Sequence, residues 1–180
     1  MQRTAFLAWA IASLAVFAQA GVMADESKEV YGGWQFEKLE GLAVADTRSL
    51  DTDSESLLLA AFPRDDCSKI RYEISGQYAG SQVEAAGLLP AQIGDLFIGT
   101  ESSRIVTGRA VVHEIDDEGG SFIMDIEPER LDDLTSLLLT SPQEGELHVR
   151  LEFFGQDPLV WSFPLRGSSR AVQSGYAHCE

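Results

Sequence analysis

The sequence predicts a mainly β protein with two helices. This is an α+β domain whose antiparallel sheet forms a sandwich or a barrel and is closed by a disulfide-tethered C-terminal helix. Short segments in which apolar and polar residues alternate recur along the chain, which is the pattern of strands with one buried face. Two other segments repeat apolar residues at helical spacing. Two cysteines, Cys67 and Cys179, provide one possible disulfide.

Residues 1–24 have the pattern of a secretory signal peptide. A single cation, Arg3, precedes an apolar core at residues 5–18. Small residues suited to cleavage follow at Ala18-Gln19-Ala20, with a second option at Val22-Met23-Ala24. The apolar stretch of roughly 14 residues is shorter than the roughly 20 that a membrane span needs. We therefore expect cleavage, and we expect residues 25–180 to form one β-rich periplasmic domain without stable membrane insertion.

The strands are predicted from alternation and from short apolar runs. They lie at Trp34–Glu37, Leu57–Phe62, Ile70–Ser75, Leu96–Ile98, Ile105–Ile115, Phe122–Ile126, Leu147–Phe153 and Leu159–Leu165. Residues 25–30 are predicted to be a loose N-terminus and residues 46–56 an acidic loop. The glycine-bearing segment at 116–120 is predicted to be a hairpin turn.

Two helices interrupt the strands. The first is predicted to begin at Pro128, because proline suits the first helical position, and to bury a stripe of leucines. That stripe consists of Leu131, Leu134 and Leu138. The second is predicted to follow Gly167, with Ser168 as its N-cap, and to run to Cys179.

The two cysteines are expected to form a structural disulfide. Cys179 falls on the same helical face as Val172 and Tyr176, so it points in the direction in which the helix packs. An exported chain enters an oxidising compartment, where an even cysteine count favours pairing. The alternative is a metal or redox pair, but there is no CxxC motif, and His178 is the only histidine beside a cysteine. A bond to Cys67 would attach the last helix to the turn before the predicted strand Ile70–Ser75.

The charge of the chain excludes some partners. Thirteen Lys and Arg residues against 29 Asp and Glu residues give a formal net charge of −16. Nucleic acids and anionic membrane surfaces both require a basic footprint. The sequence therefore predicts a protein that binds no nucleic acid.

No catalytic residue, cofactor site or metal site is predicted. Of the three histidines, His113 is the candidate for a metal ligand or a general base, because Glu114 and Asp116 follow it. His148 is expected to be solvated on a strand. Motifs for a serine nucleophile or a phosphate loop are absent from the sequence. Weak calcium binding at residues 51–55 or 116–118 is an alternative to a solvated acidic loop.

Several spaced residues together resemble a group of small exported Gram-negative proteins. They are Gly33-Trp34, Ala45-Asp46-Thr47-Arg48, Cys67, and the closing segment Phe163-Pro164-Leu165-Arg166-Gly167-Ser168 with Cys179. This set resembles the TagO-like proteins associated with type VI secretion and the invasion-associated locus B proteins. The resemblance implies a β-rich periplasmic protein without enzymatic activity, and it transfers no catalytic residue.

The leading interpretation is a non-catalytic periplasmic accessory or interaction protein. Its expected partner is an unidentified protein of the cell envelope or of a secretion apparatus. One alternative is a hydrolase of envelope polymers that uses two buried acids facing one cleft. The other is a binder of a small ligand or a cation at the mouth of the barrel or in the acidic loops.

Overall fold

The computed structural model describes residues 28–51, 56–77, 91–100, 103–116, 121–140, 142 and 144–179. The predicted signal peptide lies outside these residues. The described strands are β1 (Lys28–Tyr31), β2 (Trp34–Leu39), β3 (Leu42–Arg48), β4 (Leu57–Pro63), β5 (Arg71–Gln77), β6 (Ile93–Thr100), β7 (Ser103–Asp116), β8 (Ser121–Pro128), β9 (Glu146–Glu152) and β10 (Leu159–Pro164). The helices are α1 (Leu131–Thr140) and α2 (Ser168–His178), and a 3₁₀ turn spans Cys67–Lys69.

All ten strands belong to one antiparallel sheet in the order β1-β2-β3-β4-β5-β8-β7-β6-β9-β10. The first five strands are consecutive neighbours in the sheet. β6, β7 and β8 then run back in reverse order, so that β8 pairs with β5 and β6 pairs with β9. The predicted mainly β class with two helices is confirmed.

The sheet curls so that its last strand returns to the beginning of the chain. The outer edge of β10 is occupied by hydrogen bonds to residues that flank β2 and β3. Leu50 N–H donates to Ser162 O over 2.7 Å, and Gly33 N–H donates to Arg166 O over 2.8 Å. Because β3 and β10 are separated by six strands in the sheet order, these bonds require a barrel-like curl.

One face of the curled sheet forms the core. Alternate residues of each strand point inward, and the registers place them in continuous rows across neighbouring strands. The largest fully buried side chains are Trp34, Trp161, Tyr72, Phe36, Phe62, Phe122 and Phe163. The sequence alternation identified the buried positions Tyr72 and Ile74 of β5 correctly. The continuous apolar run of β4 predicted a strand covered on both faces, whereas only alternate residues of β4 are fully buried.

Both helices pack on this inner face. α1 buries Leu134 and Leu138 and is anchored by a hydrogen bond of 3.0 Å between the hydroxyls of Tyr72 and Thr135. α2 contacts α1 and the first four strands, and it buries Ala171 and Val172. In the described part of the chain, no helix is long and apolar enough to cross a membrane.

Four details differ from the sequence predictions. β1 occupies part of the predicted loose N-terminus. β3 was not predicted as a strand, and its end at Arg48 lies within the predicted acidic loop. α1 begins at Leu131, while Pro128 ends β8, because residues 121–128 continue the ladder with β7. Gly167, and not Ser168, is the N-cap of α2. The Ser168 hydroxyl instead donates to Leu138 O over 2.8 Å, which ties the two helices together.

Gly167 occupies a position that only glycine fits. Its φ of 98° lies in the left-handed region, which side chains with a Cβ rarely adopt. A Cβ at this position would also overlap the backbone carbonyl of Tyr31. The turn into α2 therefore requires close contact between the backbone of Gly167 and the carbonyl of Tyr31 on β1.

The disulfide predicted between Cys67 and Cys179 is present, with a Cα–Cα distance of 5.4 Å and a sequence separation of 112 residues. Cys67 begins the 3₁₀ turn, which Asp66 caps by accepting a hydrogen bond from Ser68 N–H. Cys179 follows the last residue of α2. The bond therefore joins the end of the last helix to the connection between β4 and β5.

The Gly167→Ala variant should lower the free energy of unfolding by at least about 3 kcal/mol, because the added Cβ meets rigid backbone. Gly41→Ala is the matched control. Gly41 has a φ of 77° with no atom near its Cβ position, so this variant isolates the cost of the positive φ. That cost should be about 1 kcal/mol. Urea unfolding measures both variants, and equal losses would contradict the close approach.

Replacing Cys67 and Cys179 with serine should lower the Tm by roughly 10 °C. Opening a loop of about a hundred residues costs roughly 4–5 kcal/mol in the chain-entropy account, and each kcal/mol shifts the Tm by roughly 2–4 °C at this size. Calorimetry of the variant and of the reduced wild-type protein should give similar Tm values. Free thiols in the denatured, unreduced wild-type protein would refute the bond.

Candidate functional site

The three histidines lie in three different environments. His148 is on β9, half-buried, and its Nδ1 lies 3.1 Å from the Ser162 hydroxyl on β10. His113 is on β7 and pairs with Asp125 on β8. His178 ends α2, and its Nε2 is buried without a hydrogen-bond partner in the described part of the chain. His113 and His178 each belong to a group of polar residues that could serve a function.

His113 belongs to a small polar cluster on the outer face of the sheet. Its Nε2 lies 3.1 Å from the Asp125 carboxylate. The register of β5 and β8 places Glu73 directly opposite Asp125. Cross-strand neighbours have Cβ atoms roughly 4.5–5.5 Å apart, so the two carboxylates are adjacent. A bulge at Val112/Glu114 in the β7–β8 ladder coincides with the position of His113.

The cluster perturbs the titration of Glu73. Partial burial raises the pKa of the Glu73 carboxyl, and the negative charge of Asp125 raises it further. His113 acts in the opposite direction and lowers the same pKa. The arrangement therefore places a carboxyl with a raised pKa beside a carboxylate and an imidazole. The side chains of Glu114 and Asp116, which the sequence grouped with His113, lie outside the described part.

A pocket of about 530 Å³ lies elsewhere, between β2, the end of β4 and the end of α2. Phe36 and Lys38 face it from β2, and Arg64 faces it from the residue that follows β4. Ser174, Ala177 and His178 line it from α2, and Glu29 lines it from β1. Glu73 and Asp125 do not line this pocket.

The disulfide holds two walls of this pocket together. Arg64 precedes Cys67 by three residues, and His178 is the residue immediately before Cys179. The edge-to-face contact between Phe62 and Tyr176, with ring centroids 5.6 Å apart, packs α2 on β4 just behind these walls. The pocket is therefore built from segments that are distant in sequence and covalently joined.

Known proteins give no further guide to either site. The chain matches no known protein family, no curated protein and no solved structure. The sites must be interpreted from their own geometry.

The structure describes only some of the residues that the sequence analysis considered as metal ligands. Within the described ranges, no group of three or more His, Cys, Asp or Glu side chains is placed to hold a metal ion. Most of the two proposed calcium segments, at 51–55 and 116–118, lies outside those ranges. Asp51 itself has a structural role, because its Oδ2 accepts hydrogen bonds from Ser162 N–H and the Ser49 hydroxyl.

Sequence analysis did not identify the acid pair or the pocket. Glu73 and Asp125 are 52 positions apart, and only the β5–β8 register brings them together. Lys38, Arg64 and His178 come from three separate elements. The one available signal was His178 beside Cys179, which indicated a side chain close to the disulfide.

The Glu73→Gln variant should be more stable than the wild-type protein at pH 7. The raised pKa means that the native state holds a proton more tightly than the unfolded chain. Wild-type stability therefore falls as the pH rises from the ordinary glutamate pKa to the raised one. Glutamine carries no charge, so the variant avoids this loss. Its advantage should disappear as the pH falls to about 4.

Urea midpoints at pH 7 and pH 4 measure this difference. Asp95→Asn is the control, because Asp95 is an exposed carboxylate on the same face of the sheet. It should give no gain in stability at pH 7. A Glu73→Gln variant that is less stable than wild type at pH 7 would show that the carboxylate makes a favourable interaction instead.

Proposed function

We propose that this chain is a non-catalytic interaction protein of the cell envelope, which binds an extended segment of a partner protein along β1. The observation that carries the proposal is the contrast between the two edges of the sheet. The edge of β10 is filled, whereas β1 pairs only with β2 among the described residues. An unpaired edge offers a row of N–H and C=O groups to a further strand.

The hairpin between β1 and β2 determines which backbone groups face this edge. Tyr31 and Trp34 flank a two-residue loop and lie opposite each other. In such a hairpin the flanking pair exchanges hydrogen bonds, and successive residues then turn their N–H and C=O to opposite sides. The N–H and C=O of Val30 therefore point away from β2 and are available to a partner strand.

The side chains of β1 indicate the chemistry of the partner. Val30 is 66% exposed, which is unusual for a valine in a strand, and it offers an apolar contact next to the free backbone groups. Glu29 is also exposed, and Glu37 lies on the adjacent strand opposite Lys28. With a net charge of −16, the chain attracts basic segments at long range. The proposed partner segment is extended, basic and apolar at the residue that faces Val30.

The location of the protein is part of the same proposal. The signal-peptide pattern of residues 1–24 and the disulfide both support export to the periplasm, since disulfides persist in oxidising compartments. The resemblance to TagO-like and invasion-associated locus B proteins supports an accessory role in the envelope or in secretion. Several of the shared residues are structural here, including buried Trp34 and the helix-capping Gly167.

A proline at position 30 should abolish binding of the partner. Proline removes the N–H that faces the open edge, and it leaves the β1–β2 ladder intact because that N–H does not point toward β2. With a photoreactive residue in place of Lys28, cells that produce the protein should yield an adduct to one extended basic segment. Val30→Pro should lower the adduct yield by at least about tenfold, the equivalent of one lost hydrogen bond of about 1.4 kcal/mol.

Val30→Thr is the matched control, because it keeps the N–H and a β-branched side chain, and its yield should match that of wild type. A photoreactive residue at Val160, on the filled edge of β10, should give no adduct. An adduct that survives Val30→Pro would contradict strand addition. An adduct between two copies of this chain would replace the separate partner with a homodimer.

A further inference from the structure

We propose that the strand added at β1 carries an acidic residue directly before its apolar residue and a basic residue directly after it, and that Arg170 of α2 binds the acid. This inference rests on the proposed addition of a strand to β1, and it specifies the side chains of that strand. It follows from the contacts of α2 with one face of β1, whereas Val30 lies on the opposite face.

The residues of β1 alternate between the two faces of the sheet. Glu29 and Tyr31 pair with the two buried aromatic residues of β2, so their side chains lie on the inner face, and Val30 lies on the outer face. An added strand continues this alternation, because residues that lie opposite each other in neighbouring strands share a face. If one partner residue faces Val30 on the outer side, its two chain neighbours lie on the inner side, beside Glu29 and Tyr31.

α2 lies along the inner face of β1. The Arg170 guanidinium carbon is 5.7 Å from the centre of the Tyr31 ring, and the Ser174 hydroxyl is 3.2 Å from the Tyr31 hydroxyl. Arg170 and Ser174 are four residues apart, so they share one side of the helix, and that side faces β1. Because β1 is the outermost strand, the Arg170 side chain over Tyr31 is next to the position of an added strand.

Two arginines lie at this end of β1. Arg170 is exposed and forms no ion pair with any residue that the structure describes. The same holds for Arg166, whose side chain lies against Gly32 in the loop after β1. Guanidinium groups repel a cation, and their planar fork of N–H donors matches a carboxylate. The partner residue opposite Tyr31 is therefore expected to be Asp or Glu, even in a segment that is basic overall.

Glu29 provides the opposite charge two residues before Tyr31 on the same face. Its side chain is exposed, and its carboxylate accepts a hydrogen bond from the Tyr31 hydroxyl. A carboxylate has about four lone-pair sites, so it can accept further hydrogen bonds from a cation. The partner residue opposite Glu29 is therefore expected to be Lys or Arg. The inner face of β1 thus offers a positive and a negative group to successive inward-facing residues of the partner.

The direction of the added strand determines the order of these residues. Every strand pair of the described sheet is antiparallel, and antiparallel pairing is slightly more stable per residue than parallel pairing. In an antiparallel partner, the residue opposite Tyr31 precedes the one opposite Val30, and the residue opposite Glu29 follows it. The partner segment therefore has the order acidic, apolar, basic from its N-terminus to its C-terminus.

Selection from a library of displayed peptides tests the proposal. The probes are short random segments inserted within a carrier protein, so that they have no free chain ends. Segments are selected for binding to the wild-type protein, and those that bind Val30→Pro equally well are discarded. The remaining segments should be enriched in the order acidic, apolar, basic. The most frequent segment is then synthesised with blocked ends, and its dissociation constant is measured by fluorescence anisotropy.

Arg170→Glu should raise the dissociation constant of this peptide by about tenfold, because repulsion replaces attraction between the two charges. A peptide with Lys in place of its acid should recover binding to Arg170→Glu, which a purely structural role of Arg170 would not produce. Arg71→Glu is the charge-matched control, because Arg71 is exposed on β5, three strands away from β1 in the sheet order. Its dissociation constant should stay within about twofold of wild type.

The outcomes separate this inference from the proposed function. If Val30→Pro retains every selected segment, strand addition at β1 is refuted, and the inference fails with it. If the segments depend on Val30 but lack an acid before the apolar residue, strand addition stands and the inference alone is overturned. The same conclusion follows if Arg170→Glu weakens binding no more than Arg71→Glu.

Discussion

The return of β10 to the start of β2 is the contact on which the rest of the structure depends. The Trp34 indole N–H donates to Pro164 O over 2.7 Å, and Gly33 N–H donates to Arg166 O over 2.8 Å. These bonds bring together two ends of a sheet that would otherwise lie far apart, so that its apolar face is enclosed and both helices have an interior to fill. They also satisfy the backbone groups at one edge of the sheet, which leaves β1 as the edge that can accept another strand.

The position of the pocket is a further consequence of this closure. α2 starts directly after the closing segment, at Gly167, where the backbone meets the Tyr31 carbonyl. It ends at Cys179, where the disulfide attaches it to the β4–β5 connection. With both ends fixed, the last turn of α2 is held at a constant distance from Lys38 and Arg64.

Much of the fold could be predicted from the sequence. Most strands bury one face, and this produces an alternation of apolar and polar residues that the sequence shows directly. The disulfide was predictable for a similar reason, since Cys179 follows the helical stripe of Val172. β1 was missed because its four residues are almost wholly exposed and carry no alternation. β3 was also missed, because it buries three consecutive residues, Ala43, Val44 and Ala45, rather than alternate ones. Pro128 was predicted to begin a helix, because its neighbouring residues fit the start of a helix as well as they fit the end of a strand. Only the pairing with β7 decides in favour of a strand.

The two candidate sites could not be predicted, because each brings together residues of separate elements whose relative positions are not visible in the local sequence. The Glu73–Asp125 pair depends on how β8 docks on β5, and a shift of one residue would turn one acid to the opposite face. The pocket depends on where α2 ends relative to β2. The two sites also differ in kind. The charge of Asp125 raises the pKa of the Glu73 carboxyl on the outer strand face, whereas Lys38 and Arg64 line the pocket at the end of α2.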